Sequence, residues 1–354
     1  MDVAVIGAGG EVGREMCAQL IESGIVGPGD ELCLVGHVGG PSELAVFGLV
    51  VDLADAFAEY APNFHVTSKP EDLRDHLIVF VAGASVPHDS HDAITRQDLS
   101  RRNVPVFQSW ARRLASVTSG DELMIIQSNP VELAVQVMSV ELGSARVLGG
   151  AAFSDTLRLR RELARDAGVH RQDVSAMVLG QHGPNLMPVW SQVAVRGWDR
   201  ARTAALVEKV TANRLPNGFP DEMVAALGHL IRLLQDDAGH ECIAFLRELP
   251  ADLRAAVKPF FVHYTGRTTA VVTAHAVVEL ARIIGSGSPS VVPAQVALDG
   301  AWDGFTAPVG VPVELGHHGW LPVSPDLLNS AELERLRTIH AQVELENASA
   351  LAAR

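Results

Sequence analysis

Cysteine is scarce in this chain. Cys17, Cys33 and Cys242 are scattered, and their number is odd. No CxxC pair and no Cys/His spacing suggests zinc, so no metal is expected and a reducing cytoplasm is the expected compartment. There is also no run of about 18 apolar residues, so no membrane span is expected. Nor does a charged region followed by a long apolar one open the chain. Val3-Ala4-Val5-Ile6 begins a strand at once, and no signal peptide is expected. Positive charge is in short supply: 28 Lys and Arg stand against 42 Asp and Glu, a net charge of −14. That balance argues against a nucleic-acid partner. A pocket for a small anion remains open, because it needs only one or two arginines. No internal repeat is evident.

The 354 residues are long for one core and comfortable for two domains. The first strand runs into Gly7-Ala8-Gly9-Gly10-Glu11-Val12-Gly13, and a helix with apolar residues at Val12, Met16, Leu20 and Ile21 follows. Strand, Gly-rich turn and helix form the context of a dinucleotide fingerprint. Gly7 allows the tight turn, Gly9 or Gly10 lets a diphosphate approach the backbone, and Gly13 lets the helix pack close. The diphosphate would sit on the free N–H groups of the helix N-terminus. Gly7, Gly9, Gly10, Glu11, Val12 and Gly13 are therefore expected to bind a cofactor. So are Ala82, Gly83, Ser128 and Asn129, which end or follow later strands.

One further absence bears on the cofactor. The second strand, Glu31 to Val35, ends in Gly36-His37-Val38-Gly39-Gly40, where such folds usually carry a carboxylate for the ribose 2′-hydroxyl. Gly36 leaves room for a 2′-phosphate and His37 could hydrogen-bond to it, although no arginine stands in the stretch. The reading leans to NADP over NAD.

Three later segments carry candidate chemistry. Leu123 to Gln127 is a buried strand ending in Ser128-Asn129-Pro130, and ligands bind at the carboxyl ends of strands in an open parallel sheet. Asp155 and Arg158 are three apart, on neighbouring positions of one helix face. Val178 to Ser191 reads VLGQHGPNLMPVWS, with His182 between two nearby glycines after an apolar run.

Gly-Gln-His-Gly, Ser-Asn-Pro and Asp-x-x-Arg, behind a dinucleotide fingerprint, resemble the lactate/malate dehydrogenase family. The resemblance spans Val3 to about Glu346 and implies a role for each residue. His182 would be the acid/base that moves the hydroxyl proton. Asp155 would orient and support it, and Arg158 would hold the substrate carboxylate in a bidentate fork. Arg96, after the Gly83 to Thr95 loop, would polarise the substrate carbonyl. Asn129 would bind the nicotinamide ribose or substrate, and Thr268 would line the pocket.

The chain departs from the family in places. The loop is about four residues longer than expected and lacks the malate-type arginine. His88 and His91 are expected to contact the substrate there instead, and Arg267 is a candidate for an anionic tail. Pro184 stands where an acidic residue usually follows the His-Gly pair.

The region from Trp198 to Pro259 reads as helical, interrupted by Pro216, Pro220 and Pro250, and longer than the family's equivalent. A helix from Gly266 to about Ile284, an antiparallel pair over Val291 to Gly319 and a closing helix from Leu327 complete the chain. The expected fold class is α/β: an N-terminal Rossmann-type parallel sheet domain over 1–148 and a C-terminal α+β substrate domain over 149–354. The expected function is NAD(P)-dependent interconversion of a 2-hydroxy acid and a 2-oxo acid by a cytoplasmic homodimer or homotetramer. A non-catalytic NAD(P)-binding protein is the alternative. An NAD-dependent glycosidase would need metal ligands near the strand ends, and no cysteine stands near Asn129 or His182.

Overall fold

The computed structural model describes residues 1–36, 41–83, 96–212, 214–215 and 218–352. The chain begins with β1 (Val3–Ile6), α1 (Glu11–Glu22), β2 (Glu31–Val35), α2 (Pro41–Ala56), β3 (Asn63–Thr67) and β4 (Leu77–Phe80). It continues with α3 (Arg96–Ala115), β5 (Met124–Ile126), α4 (Val131–Leu142) and β6 (Val147–Gly149). These six strands lie in the order β3-β2-β1-β4-β5-β6, and every neighbouring pair is parallel. A parallel sheet is covered on both faces, which explains why β1 and β4 are apolar and buried throughout. Alternation still sorts their side chains. Val3 and Val5 enter one core with α1 and α2, while Ala4 and Ile6 enter another with α3 and α4.

The second half opens with α5 (Ala151–Ala167), β7 (Val174–Ser175), β8 (Val178–Gly180), β9 (Leu186–Pro188) and β10 (Ala194–Val195). Helices α6 (Arg200–Thr211), α7 (Phe219–Gln235), α8 (Gly239–Glu248), α9 (Ala251–Tyr264) and α10 (Ala270–Ser286) follow. The chain closes with β11 (Ser290–Val296), β12 (Val309–Gly316), β13 (Gly319–Pro322) and α11 (Ser330–Ala352). The sheet does not stop at β6. Antiparallel β11, β12, β8 and β9 extend it in that order, and β13 pairs with β12. The expected division at 148/149 therefore falls inside a strand of one continuous sheet. A third core packs α5 against α6 to α9 and takes in Val178 of β8 and Leu186 of β9 at the far end of the sheet.

The helical reading of 198–259 divides into four helices. Pro220 sits in the first turn of α7 and Pro250 caps α9, both positions that need no backbone N–H. Pro259, expected to end the helical region, lies within α9 instead. Pro216, His37, His88 and His91 lie outside the described residues. Among the described residues, no helix is long and apolar enough to cross a membrane.

Candidate active site

His182 occupies the turn between β8 and β9. Gly180, at φ +84°, has Asn185 O 2.7 Å from where a Cβ would stand, so the two chain segments close tightly only with glycine there. The turn brings the imidazole to the first half of α5. Its Nδ1 lies 2.7 Å from Asp155 Oδ2, and the other oxygen, Oδ1, accepts from Arg158 at 2.8 Å. The second guanidinium nitrogen of Arg158 donates to Thr269 Oγ1 at 3.1 Å. Helical spacing alone places Asp155 and Arg158 side by side, whereas the meeting with His182 requires the sheet. Because an ionised carboxylate only accepts, Nδ1 carries the proton and Nε2 is the nitrogen available for proton exchange.

Burial works against charge on this ring, but the Asp155 carboxylate, through its charge and its hydrogen bond, outweighs it. Glu132 adds to that effect, and the His182 pKa rises above its ordinary 6.5. The reciprocal holds for Asp155. Burial would raise its pKa, yet His182 and Arg158 hold it below 3.8. The pair is therefore an ionised carboxylate beside an imidazole that keeps its proton to higher pH than a free histidine.

Arg96, the first residue of α3, reaches the back of this group. It donates to the His182 carbonyl at 3.0 Å and to Glu132, and its Nε stands 3.5 Å from Glu346. Glu132, on the first turn of α4, is fully buried. Its carboxylate also accepts the His182 backbone N–H at 2.7 Å. Glu132 thus joins the backbone of the histidine turn to Arg96. The sequence analysis missed it. The signal was a carboxylate in the otherwise apolar run VELAV, where a lone charge in a buried helix face must be paired.

Thr268 is not the threonine on Arg158. Its N–H and hydroxyl both donate to Glu11, at 3.0 and 2.9 Å, and Thr269 makes the arginine contact. Glu11, expected to bind cofactor, is consequently turned to Thr268, with Arg267 3.9 Å away. Asn129 is exposed beyond the end of β5, and its carbonyl accepts from Asn103 at 2.6 Å. The Ser128 hydroxyl donates to Ala82 O at 2.6 Å, tying the end of β5 to the end of β4. Gly83, at that same end, faces Asn103, whose Oδ1 is 3.4 Å from a notional Cβ.

The glycine turn suits a diphosphate. Gly7 has φ +98°, and a Cβ at Gly13 would stand 2.2 Å from Gly7 O, so α1 seats directly on the turn. Gly10 caps α1 without a side-chain hydrogen bond, which leaves the first helical N–H groups open to an anion. The backbone of Gly9, Gly10, Val12 and Gly13 therefore fits a dinucleotide. At the end of β2, Gly36 N–H donates to Thr67 O at 3.0 Å, and a Cβ there would meet Val46 Cγ2 at 3.2 Å.

Comparison with known proteins bears on the N-terminal region and on the fold. A family model described as lactate/malate dehydrogenase, NAD binding domain, matches residues 1–148. A stretch of 200 residues is 34% identical to an L-lactate dehydrogenase of Zea mays, covering 55% of this chain and 52% of that one. A malate dehydrogenase of Anaplasma marginale (strain St. Maries) is 28% identical over 320 residues, 90% of this chain and 87% of the relative. In fold, a lactate dehydrogenase from a Medee basin deep-sea metagenome library superposes with a TM-score of 0.74 at 20% identity, covering 98% of each chain. Residues 1–148 thus match the NAD-binding domain of the lactate/malate dehydrogenase family, and the chain is similar to lactate and malate dehydrogenases over much of its length.

Proposed function

We propose that this protein is an NAD(P)-dependent dehydrogenase that interconverts a 2-hydroxy acid and a 2-oxo acid. The observation that carries the reading is the contact chain His182–Asp155–Arg158, which sets a proton-exchanging imidazole beside an arginine fork. Arg158 binds the substrate carboxylate and orients it, since a planar guanidinium matches a carboxylate in two bonds. His182 Nε2 takes the hydroxyl proton during oxidation and returns it to the oxygen during reduction. Asp155 fixes the tautomer and supports the imidazolium that oxidation leaves behind. Arg96 carries five N–H groups, more than its contacts with His182, Glu132 and Glu346 take up, and a remaining one stabilises the partial negative charge on the reacting oxygen. The nicotinamide, when bound, supplies or accepts the hydride. The backbone of the turn from Gly7 to Gly13 holds the diphosphate, and the segments around Gly36, Ala82 and Asn129 flank the rest of the cofactor.

NADP is favoured over NAD, because Gly36 offers no carboxylate to repel a 2′-phosphate. Leu44, Phe47 and Val51 are exposed on α2, which supports a homodimer or homotetramer. The three cysteines are buried, unpaired thiols, which suits a reducing cytoplasm.

Absorbance at 340 nm, followed with a panel of 2-oxo acids and NADPH or NADH, tests the reading. Oxidation of the reduced cofactor with at least one acid is expected. No change with any of them returns the chain to the non-catalytic alternative.

A further inference from the structure

Beyond Arg158 the same helix face continues into a basic cavity. Arg158, Arg161, Glu162 and Arg165 recur at helical spacing along α5. They form one wall of a cavity of about 570 Å³, closed by Ile243, Leu246 and Arg247 of α8, by residues of α9 that include Lys258, and by Thr269 and Val272. A volume of that order is typical of small-molecule sites, roughly 300–1,000 Å³. The apolar residues would enclose a carbon chain.

The charge of the lining is one-sided. Five cations, Arg158, Arg161, Arg165, Arg247 and Lys258, meet one carboxylate, Glu162. That carboxylate is already engaged by Arg254 and Arg161, and by Lys258 at 2.5 Å. Arg165 approaches it only to 4.0 Å, and among the described residues Arg247 has no carboxylate partner. In a chain with a net charge of −14, such crowding of cations around one hollow is not the composition's doing. Burial depresses the Lys258 pKa most, and Arg161 and Arg254 add to it although Glu162 opposes. An anion in the cavity would relieve that repulsion.

We propose that the cavity reads a second anionic group, a carboxylate or a phosphonate/phosphate, at the far end of the substrate. The 2-oxo acid is then anionic at both ends, with its first carboxylate on Arg158 and its tail among Arg165, Arg247 and Lys258. This rests on the dehydrogenase reading above. It also reassigns tail recognition from the loop and Arg267 to helices α5, α8 and α9, within and beyond the long segment of 198–259.

The test compares kcat/KM for 2-oxoglutarate, 2-oxo-4-phosphonobutanoate and uncharged-tail 2-oxohexanoate in the wild type and in the double variant Arg165→Gln/Arg247→Gln. Neither substitution touches the Arg254 and Lys258 contacts of Glu162. The wild type is expected to prefer an anionic tail, and the double variant to lose about ten-fold or more of that preference. Whichever anionic acid leads identifies the tail as carboxylate or phosphonate. Equal use of charged and uncharged tails by the wild type, or a preference unmoved by the substitutions, overturns the proposal. Calorimetric titration with glutarate, without cofactor, separates the two readings. If no 2-oxo acid is turned over, the dehydrogenase reading fails, and glutarate alone decides the cavity. Binding weakened about ten-fold in the double variant supports it, and binding that is absent or equal in both proteins overturns it.

Discussion

The turn between β1 and α1 and the charged face of α5 differ in what they offer an anion. The turn offers backbone N–H groups, held in place because Gly13 lets α1 seat on Gly7. The helix offers side chains, each held by another charge: Arg158 by Asp155, Asp155 by His182, Glu162 by Arg254 of α9. Backbone donors do not titrate and need little support. Side-chain charges titrate, shift one another and become costly when a partner is removed. The first region should therefore fail by sterics and the second by charge.

The largest effect expected is on catalysis. His182→Ala should lower kcat by about 10²–10⁴-fold, while a fluorescence titration finds NAD(P)H binding at the wild-type level. Turnover left intact would remove the proton-transfer assignment and with it the functional half of the comparison. Next comes stability at the far end of α5. Arg254→Ala leaves Glu162 buried with fewer partners, and breaking such a pair costs about 3–5 kcal/mol. Lys258 and Arg161 remain, so the low end is expected in urea unfolding. A neutral result would mean that the cluster is not held by charge.

Gly13→Val sharpens the steric side. A Cβ 2.2 Å from Gly7 O and 2.7 Å from Ala8 Cα forces α1 off the turn. Overpacking of this kind costs about 1–3 kcal/mol. Cofactor binding should weaken with it, and to the same extent at every pH between 6 and 9. A pH-dependent loss would contradict a backbone site.

Asp155→Asn tests the charge side by pH. The Asp155 carboxylate raises the His182 pKa, so removing it must lower that pKa. Reduction needs the protonated ring, and its rate falls as pH rises through the His182 pKa. That falling limb should therefore move to lower pH in the variant, along with a drop in kcat. A limb that stays in place would show that the ring titrates independently of Asp155.

The smallest effect distinguishes two neighbours. Thr269→Val removes one hydrogen bond to Arg158, worth about 1 kcal/mol, and should raise KM several-fold with kcat nearly kept. Thr268→Val touches Glu11 instead and should leave substrate KM alone.

Gly36→Asp, the direct swap for cofactor preference, is less clean than the sequence suggests. A Cβ there meets Val46 Cγ2 at 3.2 Å, so that side chain must yield before any change in preference can be read. Comparing NADPH with NADH on the unaltered protein avoids the problem.

The alternation of strands and helices in the first half was legible because each element carries its own pattern. Buried runs such as Val3–Ile6 and a glycine turn at their end need no distant information. Asp155 and Arg158 were legible for the same reason, since three residues along a helix are neighbours wherever it packs. Boundaries were less so. The strand expected to reach Ala82 ends at Phe80, and the helix expected from Gly266 begins at Ala270. Both threonines precede the helix, Thr269 as its N-cap, and there adjacent residues face different partners, Glu11 and Arg158.

By itself, the sequence determined the parallel sheet and the glycine turn, because local period and glycine content dictate those features, and helical spacing set Asp155 beside Arg158, while His182 was singled out by resemblance. Only the tertiary structure decided that Glu132 braces the histidine turn, that Thr269 faces Arg158 and that α5, α8 and α9 gather five cations around one cavity. Those facts depend on segments tens to more than a hundred residues apart, and nothing in the spacing of one segment tells which face of another it will meet.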